Sequence, residues 1–227
     1  MEDTIRAIAH IHTDFASKFG VPRQSGLVDA LKGKIVFEPE YRNPDALRGI
    51  EGFSHIWLIW KFSETARESW SPTVRPPRLG GSERMGVFAT RSPFRPNALG
   101  LSSVRLCGVR QRSEDGPLLF VSGADLVDGT PIYDIKPYLP YTDSHPEATG
   151  GFASSRPEAR LEVEFPARLL ELVPGTLREA LIGVLASDPR PSYQNDPERI
   201  YGFEFGGLNV KFKADATTLT VCEVMPL

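Results

Sequence analysis

The stretch Glu83-Arg-Met-Gly-Val-Phe-Ala-Thr-Arg-Ser-Pro-Phe-Arg-Pro-Asn-Ala-Leu-Gly-Leu101 decides how the chain is read. Met85 to Ala89 has the composition of a strand, which then breaks into a turn rich in Arg, Ser, Pro and Asn. Pro93 and Pro96 fix φ, remove two backbone donors and bias Ser92 and Arg95 away from α geometry. A strand that runs into a stiff, arginine-bearing loop holds cations in fixed places, and phosphates or carboxylates are the usual recipients. The alternative is a hairpin loop with solvated arginines. Segment 71–100 holds Arg75, Arg78, Arg84, Arg91 and Arg95 against one acid, Glu83, in a chain of net charge −3, which favours an anion site.

Strands surround this stretch. Residues 4–12 place Ile5, Ala7, Ala9 and Ile11 on one face, with His10 and His12 opposite. Residues 34–38 read as a second strand, and 40–50 as a polar turn and short helix opened by Asn43-Pro44. Residues 52–62 are almost wholly apolar, the pattern of a strand buried on both faces or at a barrel centre, with His55 a satisfied core residue. A proline-rich arm, 71–81, leads into the central stretch. Residues 99–110 and 117–124 are two more strands. Asp128-Gly129 is a turn dipeptide, and Thr130-Pro131 restarts an extended segment. On that segment Asp134 and Lys136 share a face with Ile132, either as a surface pair or as lining of a polar cleft.

Residues 141–157 are polar and contain Gly150-Gly151 and Pro157. They separate a first domain, residues 1–146, from a second, 158–227, with 147–157 as linker. In the second domain, 160–165 reads as a strand and 174–186 as a helix with Leu177, Leu181, Val184 and Leu185 on one face. Residues 200–213 and 217–224 read as a two-stranded hairpin. The many short strands, the lack of a G-x-G-x-x-G turn and the lack of βα alternation imply a mainly β chain. That means a small antiparallel barrel followed by a small α+β domain.

Composition narrows the function. The chain has 227 residues, 41% of them hydrophobic and 24% charged, enough for a real core in one large or two small domains. A net charge of −3 argues against a generally basic nucleic-acid coat but allows a local basic face. No apolar run is long enough to span a membrane, and the acidic Met1-Glu-Asp-Thr start lacks a signal segment. Cys107 and Cys222 stand alone in apolar contexts, as buried reduced thiols, and the four histidines show no zinc-type pairing. These features point to a cytoplasmic protein without a metal.

Three segments carry a resemblance. Pro22-Arg-Gln24, Gly86-Val-Phe-Ala-Thr-Arg-Ser-Pro-Phe-Arg-Pro-Asn97 and Asp128-Gly-Thr-Pro-Ile-Tyr-Asp-Ile-Lys-Pro-Tyr138 resemble the TsaA-like family, most of all its bacterial tRNA N6-adenosine methyltransferases. The resemblance is close over residues 4–146. Asp188-Pro-Arg-Pro-Ser-Tyr193 extends it into the second domain, and Ala98 departs from the proline common among relatives. It implies a β-barrel that binds S-adenosylmethionine and methylates N6 of the adenosine beside the anticodon, such as threonylcarbamoyladenosine in a threonine tRNA. It also implies a homodimer. Another substrate, or a non-catalytic sensor or RNA-binding role, would fit the same barrel motifs.

By the same resemblance the cofactor site consists of Pro22, Arg23, Gln24, Ser63, Glu64, Arg91, Leu101, Asp128, Gly129, Thr130 and Pro131. Ser63-Glu64 matches its motif less well, since relatives often have His first. Arg75, Arg78, Arg84, Arg95 and Arg190 are the expected tRNA contacts. Asp134, Lys136 and Tyr193 are the catalytic candidates, Tyr193 by stacking on an unstacked base. Methyl transfer needs positioning and water exclusion more than a nucleophile–base pair, and no such pair stands out.

Overall fold

The computed structural model describes residues 4–64, 69–111, 113–154, 160–190, 194 and 196–227. Its strands are β1 (Ala9–His12), β2 (Lys32–Phe37), β3 (His55–Lys61), β4 (Thr73–Val74), β5 (Met85–Gly86), β6 (Leu99–Arg110), β7 (Leu118–Ser122) and β8 (Thr130–Pro137), then β9 (Glu162–Glu164), β10 (Tyr201–Phe205), β11 (Leu208–Ala214) and β12 (Thr218–Pro226). Three α-helices join them: α1 (Pro140–Asp143), α2 (Ala167–Leu170) and α3 (Gly175–Ala186).

Six strands close into an antiparallel barrel in the order β1-β2-β7-β6-β3-β8. Alternation explains it: Ala9 and Ile11, Ile35 and Phe37, Ile56 and Leu58, and Leu119 and Val121 all turn into one core. β3 is therefore buried on one face, not both; on its other face Trp57 donates its indole N–H to Asp143 of α1 at 2.9 Å. The backbone N–H of Leu139 first, and then that bond, hold the Asp143 carboxyl below its usual range.

Two bulges in the barrel re-aim side chains. The register of β3 on β8 pairs Ile59 with Asp134 but Trp60 with Ile132, so Tyr133 is the extra residue. Strict alternation would put Asp134 on the face of Ile132. The bulge instead turns Ile135 toward the core and Asp134 outward with Lys136. A second bulge, between Leu106 and Gly108, leaves Cys107 exposed, and Cys222 is exposed on β12. Neither thiol is buried. His55 is also exposed, its Nδ1 3.0 Å from Ser54 Oγ.

The expected strand from Met85 to Ala89 is shorter. Only Met85–Gly86 pairs, with Thr73–Val74, before the chain tightens into a 3₁₀ turn at Val87–Ala89. Val87 is the anchor, buried while Phe88 and Ala89 face out. The segment expected as a short helix, 40–50, forms three 3₁₀ turns over Pro39–Tyr41, Pro44–Leu47 and Ile50–Gly52, with Asn43 Oδ1 accepting from the Asp45 backbone N–H.

The second sheet has four strands in the order β10-β11-β12-β9, with β9 parallel to β12. The expected two-stranded hairpin is a meander, because Gly206 and Gly207 take positive φ and fold 201–214 into a hairpin of its own. Helix α3 covers the sheet with Leu181, Val184 and Leu185. The core does not divide where the linker lies. Phe15, Val28 and Leu31, on the excursion between β1 and β2, are buried in the second core. That excursion packs closely, since a Cβ at Gly20 would stand 2.5 Å from the Phe203 ring.

Candidate functional site

The ends of β3 and β7 and the starts of β6 and β8 meet at one end of the barrel. The excursion carrying Pro22-Arg-Gln24 and the loop 87–98 rise over the same end. Between them lies a cleft of about 830 Å³. Its apolar wall includes Trp60, Phe62, Phe88, Leu101 and Leu126, and Arg23, Arg91 and Arg95 supply cations.

Three sequence-distant segments meet here. Pro22, Arg23 and Gln24 line the cleft, as do Ser63, Glu64, Arg91, Leu101 and Thr130. Arg91 Nη1 donates to Gln24 Oε1 across it. Leu101 is 54% exposed, a leucine held open on the cleft wall. The Asp128-Gly129 turn and Pro131 flank the cleft without lining it. The turn is fastened to β1: the Gly129 N–H donates to Ile11 O at 2.8 Å, and Asp128 Oδ1 accepts from the Thr13 N–H at 3.0 Å. Asp14 lies beside this knot, and burial first, then the Asp128 charge, pushes its carboxyl up.

The arginines divide. Arg75 is exposed, Arg84 Nη1 donates to Thr73 Oγ1 at 2.7 Å, and Arg78 Nη1 donates to Ala153 O at 3.3 Å. Arg95 lines the cleft while its Nη1 donates to Thr90 O at 3.1 Å, which stiffens the loop. Arg190 is not a surface cation. It is 6% exposed and pairs with Asp188 at 2.8 Å, with further bonds to Ala214 O and Asp215 O. The chain itself uses those donors, so no phosphate can take them. Tyr193 lies outside the described residues.

Asp134 and Lys136 are not brought to the cleft; they pair with each other at 3.0 Å on the outer face of the barrel. The cleft instead contains a carboxylate that the sequence did not single out as a site residue. Asp125 lies on its wall, where Ser102 Oγ donates to Oδ1 at 2.6 Å. Trp60 Nε1 donates to the same Ser102 oxygen at 3.0 Å. Burial pushes the Asp125 carboxyl up, against the opposing pull of Ser102, backbone amides and the Arg91 charge. The available signal was an aspartate set in the apolar run Ala124-Asp-Leu-Val127.

These residues fit a zwitterionic nucleoside such as S-adenosylmethionine. Arginines stand ready for a carboxylate, and apolar and aromatic walls for a purine. Among the described residues no cluster of His, Cys, Asp and Glu could hold a metal ion.

The fold and the cleft together define a class: a closed antiparallel barrel with a cleft at one open end, joined to an α+β domain. Known proteins refine it. The model of the tRNA-methyltransferase O N-terminal domain matches residues 10–144, and that of the TrmO C-terminal domain matches residues 158–227. The chain belongs to the tRNA-methyltransferase O family. It is 42% identical to a tRNA (adenine(37)-N6)-methyltransferase of Escherichia coli K12, with 96% of each chain covered. It is 45% identical to one of Eikenella corrodens over 76% of this chain and 97% of that one. The crystal structure of TrmO from Pseudomonas aeruginosa superposes with a TM-score of 0.81 at 34% identity, covering 100% of this chain and 98% of the other.

Proposed function

We propose that this chain is an S-adenosylmethionine-dependent methyltransferase that methylates N6 of the adenosine adjacent to the anticodon of tRNA. One observation carries the reading. Segments 22–24, 91–101 and 125–130 converge on a single cleft, in a chain matched over nearly its whole length by a tRNA (adenine(37)-N6)-methyltransferase.

The bound donor supplies an electrophilic methyl group on a sulfonium. The protein supplies the geometry. Arg23 and Arg91 hold the donor's carboxylate, and Gln24 fixes the direction of Arg91. Trp60, Phe88 and Leu101 exclude water from the line between acceptor nitrogen and methyl carbon. Bound there, the donor would offer its methyl group to the N6 lone pair, with its sulfur as the leaving group that keeps the bonding electrons. The nitrogen is then far more acidic, so its extra proton leaves to solvent without a strong base.

The arginines at 75, 78, 84 and 95 meet the RNA phosphates beside the cleft. We assign threonylcarbamoyladenosine in a threonine tRNA as substrate, and a homodimer in the cytoplasm as the working form. Labelled donor is incubated with bulk tRNA from cells lacking this protein, and nucleosides are resolved by mass spectrometry. Labelled N6-methylated adenosine in threonine tRNA is expected, and no labelled adenosine product would remove the reading. Sedimentation at micromolar concentration is expected to give a dimer.

A further inference from the structure

The cleft wall holds a carboxylate without a cation. Asp125 is half-buried, yet among the described residues no Lys, Arg or His forms an ion pair with it. Buried carboxylates are ordinarily paired, because burial penalises the charged form. Here the penalty is visible in the raised pKa, and the nearby positive charge of Arg91 only partly opposes it.

The carboxylate is also aimed. An indole N–H can only donate. Ser102 Oγ therefore accepts from Trp60 at 3.0 Å and must direct its own hydrogen to Asp125, 2.6 Å away. Ser102 is 1% exposed, so water does not compete for either bond. Gly100 makes the arrangement possible, since a Cβ there would stand 2.3 Å from the Trp60 ring. Ser102, Trp60 and the backbone amides of Ser25 and Asp125 thus fix one carboxylate that faces a cleft and forms no ion pair.

Arg91 lines the same cleft and turns to Gln24 rather than to Asp125. A cation and an anion side by side, each left for a ligand, are complementary to an amino-acid zwitterion. Its ammonium and carboxylate sit on one carbon. A sulfonium suits Asp125 less well, because its charge is shielded by three carbons and it donates no hydrogen bond.

We propose that Asp125, held by Ser102 and Trp60, binds the α-ammonium of the methyl donor while Arg91 binds its α-carboxylate. This rests on the methyl-donor reading above. The test is calorimetric titration of wild type, Asp125→Asn and Ser102→Ala with three ligands. S-adenosylmethionine carries ammonium and sulfonium, S-adenosylhomocysteine carries the ammonium alone, and methylthioadenosine carries neither. Asp125→Asn should weaken the first two by about ten- to a hundredfold, the range for a hydrogen bond to a charged group, and leave methylthioadenosine within about twofold. Ser102→Ala should show the same ligand pattern with smaller losses, which guards against a folding defect in Asp125→Asn. Equal loss for all three ligands overturns the proposal in favour of a structural role. Loss confined to S-adenosylmethionine overturns it in favour of the sulfonium, and no loss at all overturns it outright. If wild type binds none of the three, the methyl-donor reading itself has failed, and the proposal with it.

Discussion

Among the described residues, the polar clusters around Arg190 and Asp125 are built to opposite ends. Around Arg190 the second domain brings Asp188 and the carbonyls of Ala214 and Asp215, so the charge is neutralised and its donors are occupied. Around Asp125 the barrel brings Ser102 and Trp60, so the carboxylate is oriented but not neutralised. A closed cluster is architecture. An open one on a cleft wall leaves a place for a ligand. Both contain a charged side chain next to a proline or an apolar run, and sequence alone ranks them the wrong way round.

The closed cluster should break hardest. Arg190→Ala removes the buried partner of the half-exposed Asp188 and strands two carbonyls, a loss of about 3 kcal/mol, the low end for breaking a buried pair. Thermal or urea unfolding measures it. A variant that melts like wild type would return Arg190 to the surface and to the RNA.

Gly100→Ala comes next and strikes the open cluster through its support. The added methyl collides with the Trp60 ring, and overpacking of this kind costs about 1–3 kcal/mol. The sharper readout is donor affinity, which should fall with stability because the Trp60–Ser102 bond is lost. Lost stability with full affinity would uncouple the indole from the cleft.

Arg91→Ala should do the reverse of Arg190→Ala. Arg91 is exposed and its partner is one glutamine side chain, so unfolding should change little. Affinity for the donor should fall about tenfold or more, as for loss of a charge-assisted pair. Equal affinities by calorimetry would remove Arg91 from the site, while a large drop in melting temperature would make it architecture like Arg190.

What the sequence discloses follows the same division. Local periodicity is legible: β6 alternates along 99–106, up to its bulge, and α3 shows its apolar face in Leu181, Val184 and Leu185. The cleft's cationic edge was legible because prolines and arginines crowd into one stretch. Long-range satisfaction was not. Arg190 is spent on carbonyls at the end of β11, and Ser102 reaches Asp125 only because β6 and β7 are neighbours in the barrel. The strand expected at Met85–Ala89 fails for a related reason. Val87 is an anchor for a turn, and its burial depends on packing that no local pattern records.

The smallest expected effect concerns Asp134 and Lys136. Both are exposed, 3.0 Å apart and outside the cleft, so they form a third kind of polar pair, neither closed by burial nor open toward a ligand. Surface pairs contribute less than about 1 kcal/mol, so Asp134→Ala or Lys136→Ala should shift unfolding by less than that and leave donor affinity unchanged. Turnover on tRNA is the discriminating measurement. If it survives, the bulge at Tyr133 has simply turned two charges out to solvent. If it collapses while stability and donor affinity hold, the outer face of β8 meets the RNA or a second copy of the chain. Openness toward a ligand would then be a property of the assembly as well as of the single cleft.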